Sequence, residues 1–143
     1  ALFSEDLLGY LLGRAHYQFF HAIRPAMQSQ GLSEADFFAL SVLSVREYTA
    51  EADISHHTAY TGAEVSAQTL SELLTRGLVH QSSAGYAISV QGRDAMVHII
   101  AAAKAQEEKL GEQLGALELT ALRNLLKRSI QETDPGIDKL WKA

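Results

Sequence analysis

Cysteine is absent from the 143 residues. Disulfides, thiolate metal ligands and cysteine nucleophiles are thereby excluded. Proline occurs only at Pro25 and Pro135, so little interrupts long helices. No apolar run approaches the roughly 18 residues that cross a bilayer, and no membrane partner is expected. The first ten residues carry Glu5 and Asp6 without a basic cluster, so no secretory signal is expected and the expected location is cytoplasmic. Cations are scarce as well. Twelve Lys and Arg stand against 17 Asp and Glu, a net charge of −5. That balance argues against general affinity for polyanions and leaves room for a local basic patch.

Catalytic patterns are also missing. No serine lies in a Gly-x-Ser-x-Gly elbow, and there is no phosphate-cradling glycine loop. The neighbouring acids Glu107 and Glu108 fit the polar face of a helix. No enzyme activity, catalytic residue or cofactor is expected. The six histidines lack metal-ligand spacing. His56 and His57 are adjacent, so on a helix they point about 100° apart. His16 and His21 are five residues apart, again on different faces. No metal site is expected, and the histidines read as surface or capping groups.

What is present is hydrophobic residues, 47% of the chain, with only 20% charged. The length suits one domain with a sizeable core. Ser4 is a candidate cap for a first helix, with Leu8, Leu12, Ala15, Phe19, Ala22 and Ile23 at three- and four-residue steps. Pro25 predicts a kink or an end near Arg24, and Gly31 closes the segment. Ser33 and Asp36 form a capping-box pattern ahead of Phe37, Leu40, Val42 and Leu43. Thr49 is a candidate cap for a short third helix holding Ile54. A break follows at Tyr60-Thr61-Gly62.

A fourth helix is predicted to turn Ala63, Ala67, Leu70, Leu73 and Leu74 inward. Its other face carries Glu64, Ser66, Gln68, Ser71 and Glu72, and Gly77 ends it. Two short helices joined by a turn make a helix-turn-helix. Leu78–Gln81 and Tyr86–Val90 read as strands joined by Ser82-Ser83-Ala84-Gly85. Ser89 caps a long fifth helix with Met96, Val97, Ile100, Ala103, Leu110 and Leu114 on its apolar stripe. Lys104, Glu107, Glu108 and Lys109 face water. Gly115 interrupts, and Leu119, Leu122, Leu125, Leu126 and Ile130 mark a sixth helix. Asp134-Pro135-Gly136 turns toward a last cluster of Ile137, Leu140 and Trp141. The expected fold is mainly α with a small β-hairpin wing: a winged helix-turn-helix of six helices. Helices one, five and six lie outside the winged motif with apolar stripes to bury, which pairing with a second copy accomplishes.

Four features in this order resemble repressors of the multiple-antibiotic-resistance regulator (MarR) type. They are Gly31-Leu32-Ser33, the run Leu73-Leu74-Thr75-Arg76-Gly77-Leu78-Val79, the hairpin, and Gln91-Gly92-Arg93 opening the long helix. The similarity spans nearly the whole chain and rests on the arrangement. It implies one MarR-like domain over 1–143. A winged lobe at 30–93 is carried on dimerisation helices at 1–29 and 94–143, giving a homodimer through the terminal helices.

By this resemblance helix four reads double-stranded DNA. The implied DNA-binding residues are Ser66, Gln68, Thr69, Ser71 and Arg76, with His80, Gln81, Ser82 and Ser83 of the wing. Gln68 suits an adenine edge, a contact worth roughly 1–3 kcal/mol of discrimination. Ser66 and Thr69 suit phosphate or a thymine methyl. A small aromatic effector is implied in a cleft walled by Arg14, His16, Tyr17, Phe20 and Phe38, although core and dimer packing is the simpler reading of these aromatics.

The wing departs from the family pattern, because His80 to Tyr86 contains no Lys or Arg. From Arg46 to Asp94 three cations (Arg46, Arg76, Arg93) face six acids. The expected function is a dimeric, ligand-responsive DNA-binding repressor of transcription. The alternative is a dimer of the same kind that has lost DNA binding and antagonises another regulator through protein contacts.

Overall fold

The computed structural model describes residues 2–133. The elements are α1 (Leu8–Ser29), α2 (Glu34–Val45), α3 (Glu51–Thr58), α4 (Ala67–Thr75), β1 (Val79–Ser82), β2 (Gly85–Ile88), α5 (Val90–Leu114) and α6 (Ala116–Thr133). A single 3-10 turn, Ala59–Thr61, separates α3 from α4. The predicted mainly helical winged plan is therefore present. The Asp134-Pro135-Gly136 turn and the cluster of Ile137, Leu140 and Trp141 lie outside the described residues.

Helix starts follow local chemistry. Ser33 accepts from the Asp36 amide at 3.1 Å, while Asp36 accepts from the Ser33 amide at 2.9 Å. Such reciprocal pairs satisfy donors that a helix cannot satisfy itself. Ser66 and Thr69 repeat the device at α4. Ser89 accepts from Gly92 at 3.0 Å and donates to the Gly77 carbonyl at 2.6 Å, which ties the start of α5 to the end of α4. Gly77 has the expected positive φ of 73°.

Two predicted caps differ. Ser4 accepts from the Asp6 amide in a turn ahead of α1, and the cap residue Leu7 makes no side-chain hydrogen bond to the helix. Thr49 is not the cap of α3; Ala50 is. Thr49 instead exchanges backbone hydrogen bonds with Tyr86 at 2.8 Å in both directions, adding one rung to the hairpin edge. Backbone pairing across the sheet outcompetes the local cap. At Pro25 the helix end offered as one of two outcomes is absent. Helix α1 runs through it to Ser29, and Pro25 is exposed, where water can take the unpaired carbonyl.

The hairpin pairs Val79 with Ile88 and Ser82 with Gly85, leaving Ser83 and Ala84 as its two-residue tip. Its strands are one or two residues shifted from the predicted spans. Gly92 is required by packing. A Cβ there would collide with the Leu78 carbonyl where α5 crosses the strand.

The core gathers Leu40 and Leu43 of α2, Ile54 of α3, Val65, Leu70 and Leu73 around α4, and Val79 of β1. Ile23 and Met27 of α1 and Ala95, Met96 and Ile99 of α5 complete it. The inward faces differ from prediction at several positions. On α4, Ala67 and Leu74 are exposed, and Ala63 precedes the helix. On α5, whose stripe is expected to pair with a second copy, Met96 is buried in the core while Val97 is 64% and Ile100 42% exposed in the single chain. The stripe toward the core runs through Ala95 and Ile99, one residue to the side. Within α6 none of the described side chains is fully buried, and Leu117 is 83% exposed.

Candidate nucleic-acid interface

Helix α4 is anchored by Leu70 and Leu73 and turns Gln68, Ser71, Glu72 and Thr75 to solvent. Ser66 and Thr69, both half-buried, are occupied with each other in the cap, at 3.2 Å between hydroxyls. Gln68 and Glu72 lie one turn apart, and the Gln68 Nε2 donates to the Glu72 Oε1 at 3.1 Å. Thr75 returns its hydroxyl to the Ser71 carbonyl at 3.0 Å.

Arg76 is held by the lobe itself. Its guanidinium donates to the Gly31 carbonyl at 2.9 Å and the Gln30 carbonyl at 3.1 Å. Asp36 lies 3.8 Å from it. The side chain thus joins the end of α4 to the α1–α2 connection. The other two cations of this span, Arg46 and Arg93, line a polar groove of about 650 Å³ with Glu47 and Tyr48.

The wing residues His80, Gln81, Ser82 and Ser83 are all exposed. Gln81 donates to the Tyr86 hydroxyl at 3.2 Å, and Ser82 accepts from the Ala84 amide at 3.1 Å. The tip is therefore ordered by its own hydrogen bonds and carries no Lys, Arg, Asp or Glu.

The aromatic residues stack along α1 and α2. His16 lies 5.6 Å from Phe20, Phe20 lies 5.7 Å from Phe38, and Phe37 closes the set at 5.4 Å from Phe38. Tyr17 stacks on His21 instead, at 5.8 Å, and Arg14 is exposed. The structure thus brings His16, Phe20 and Phe38 together but leaves Arg14 and Tyr17 aside. Phe38 also borders a cleft of about 200 Å³ with Val42, Val45, His57 and Tyr60. Partial desolvation raises the Tyr60 phenol above its ordinary 10.0.

A larger trough of about 420 Å³ lies elsewhere. Its floor is Met96, Val97, Ile100 and Ala101, with Ser44 of α2 beside it and Arg93 and Lys104 at its rim. Among the described residues neither cation has a hydrogen-bond or ion-pair partner. Arg24, Arg76 and Arg123, by contrast, are paired with acids. The sequence holds a signal for this site: Arg93, Val97, Ile100 and Lys104 share one helical face at steps of four, three and four. The apolar stripe expected to pair with a second copy absorbed Val97 and Ile100. Among the described residues no cluster of His, Asp or Glu has a metal-binding arrangement.

No protein-family model and no curated protein matches the sequence. Solved structures do. A MarR family protein of Mycobacterium tuberculosis in complex with DNA is 21% identical, with a TM-score of 0.69 over 85% of this chain and 95% of its own. A MarR family transcriptional regulator from Silicibacter pomeroyi is 20% identical, with a TM-score of 0.74 over 90% of this chain and 91% of its own. CouR from Rhodococcus jostii RHA1, bound to p-coumaroyl-CoA, is 21% identical, with a TM-score of 0.69 over 89% of this chain and 94% of its own. The capped helix α4, the hairpin and the long flanking helices thus compose the winged-helix fold of MarR family transcriptional regulators.

Proposed function

We propose that the chain is a homodimeric, DNA-binding repressor whose hold on DNA responds to a small ligand. The observation that carries this is α4: a doubly capped, core-anchored helix whose exposed polar face has no packing task. Gln68, Ser71 and the N-terminal end of the helix are offered to a major groove. The wing residues His80 to Ser83 flank it on the minor-groove side. Ser66 and Thr69 shape the helix start, and Arg76 braces its end. The DNA complex and the effector complex among the similar structures favour this reading over a protein-binding antagonist.

The terminal helices supply the reason for two copies. Leu8, Leu11 and Leu12 of α1 and Leu117 and Leu125 of α6 are large, apolar and exposed in the single chain. Large apolar side chains left open on helices outside the lobe suit an association face. To read successive major grooves, a twofold pair must hold its two α4 helices about 34 Å apart, one turn of B-DNA. We place the effector in the trough under Arg93 and Lys104, where α5 passes from the winged lobe toward the terminal helices. The stacked His16, Phe20, Phe37 and Phe38 then serve packing. A ligand there biases the angle between lobe and terminal helices and so the spacing of the reading heads.

Fluorescence anisotropy on duplexes from the neighbourhood of the gene tests the reading. Saturable binding at low salt is expected. Its absence, together with a protein partner that survives nuclease treatment in a pull-down, returns the antagonist.

A further inference from the structure

We propose that Glu72 is a positioning residue that locks the Gln68 amide for adenine and against guanine. This rests on α4 reading DNA, as proposed above. Glu72 is an anion on a face meant to approach phosphates, so its presence there needs a reason. Ion pairing does not provide one. Arg76, four residues on, turns away to the Gly31 and Gln30 carbonyls. Among the described residues Glu72 has no salt-bridge partner. Its side-chain partner is Gln68, at 3.1 Å.

That bond decides which way the amide faces. A carboxylate only accepts, so the Gln68 nitrogen must face Glu72 and the amide oxygen must face away. The nitrogen keeps a second N–H. This N–H and the carbonyl oxygen form the fork that matches N7 and N6–H₂ of adenine. Guanine presents the O6 acceptor where adenine presents N6–H₂, so the fixed amide oxygen is repelled there. A free glutamine escapes by flipping its amide and donating to O6. With Glu72 in place the flip sets the Gln68 oxygen against the carboxylate. Glu72 thereby converts an amide that serves either purine into one that serves adenine. It does so while weakening general attraction to the phosphate backbone.

Selection from a random duplex library, followed by anisotropy on single-substituted duplexes, tests this with the wild type and Gln68→Ala, Glu72→Gln and Glu72→Ala. Gln68→Ala identifies the base position that Gln68 reads. At that position the wild type should prefer adenine to guanine by tenfold or more. Glu72→Gln and Glu72→Ala should bind all duplexes more tightly yet lose at least threefold of that preference, at that position alone. Glu72 is exposed on its helix, and circular dichroism checks that the variants stay folded. An unchanged adenine-to-guanine ratio in both Glu72 variants overturns the proposal and assigns the pair to helix stabilisation. Failure of every protein to enrich any sequence overturns the DNA-reading proposal itself, and this one with it.

Discussion

Arg76 belongs to the scarcest class of side chain in the winged lobe, and the fold takes it. Its two bonds to the Gly31 and Gln30 carbonyls join segments 45 and 46 residues apart in sequence. Arg76→Ala should lower stability by about 1 kcal/mol, since charged donors count for more than neutral ones but this group is partly wet. Urea unfolding measures it; an unchanged midpoint would show the contacts to be idle. Gly92 makes the opposite kind of demand. A methyl group there meets the Leu78 carbonyl, so Gly92→Ala should cost roughly 1–3 kcal/mol through forced backbone shifts. The same titration reads it, and wild-type stability would mean that α5 can step back from the strand without loss.

At the scale of elements, wing and long helix carry separate predictions. The wing tip is ordered but lacks a fixed cation. Ser83→Lys should therefore tighten DNA binding and steepen the salt dependence by about 0.9 in log–log slope per wing engaged. Anisotropy across a salt series gives the slope, and an unaltered one places the tip away from phosphate. On α5, the apolar floor of Val97 and Ile100 between Arg93 and Lys104 suits an organic anion with a flat apolar body. Arg93→Gln should weaken 2-naphthoate by about tenfold, equivalent to roughly 1.4 kcal/mol. Lys109→Gln, which removes a charge from the same helix outside the trough, should leave binding alone. Calorimetry distinguishes the two, and equal effects would reduce the trough to general electrostatics.

The whole molecule balances a well-packed lobe against helices with apolar faces open to solvent. Leu125 is 59% exposed on α6, within the face assigned to the second copy. Leu125→Glu should shift sedimentation from dimer toward monomer, with the lobe still folded because no core residue is touched. A variant that sediments as the wild type does would move the interface elsewhere. The cation supply bounds the DNA contact. Each lobe span holds three arginines, so a dimer engages at most six phosphates and the log–log salt slope should be no steeper than about −5. A steeper slope would reveal cations recruited from the terminal helices.

Much of this architecture was legible in the chain, because caps, breaks and turn glycines act over a few residues. Ser33, Ser89, Gly62, Gly77 and Gly115 mark element ends through φ angles and local hydrogen bonds that no distant contact needs to supply, whereas the cap at Ser66 reads from the sequence as part of the helix face. The polar face of α4 was legible for the same reason: its residues face water, and a 3.6-residue period says so. Facing directions on α5 and α6 were not legible. Val97, Ile100 and Leu125 are as apolar as Ile99, and periodicity cannot tell a face that meets the core from one left for a second copy or a ligand. Thr49 shows the same limit, since a distant strand claimed it before a local cap could. Sequence alone determined where the helices begin and end and that they build a winged lobe. Tertiary structure decided which apolar faces stay open and which cations stay free, because burial and pairing are settled between segments far apart in the chain.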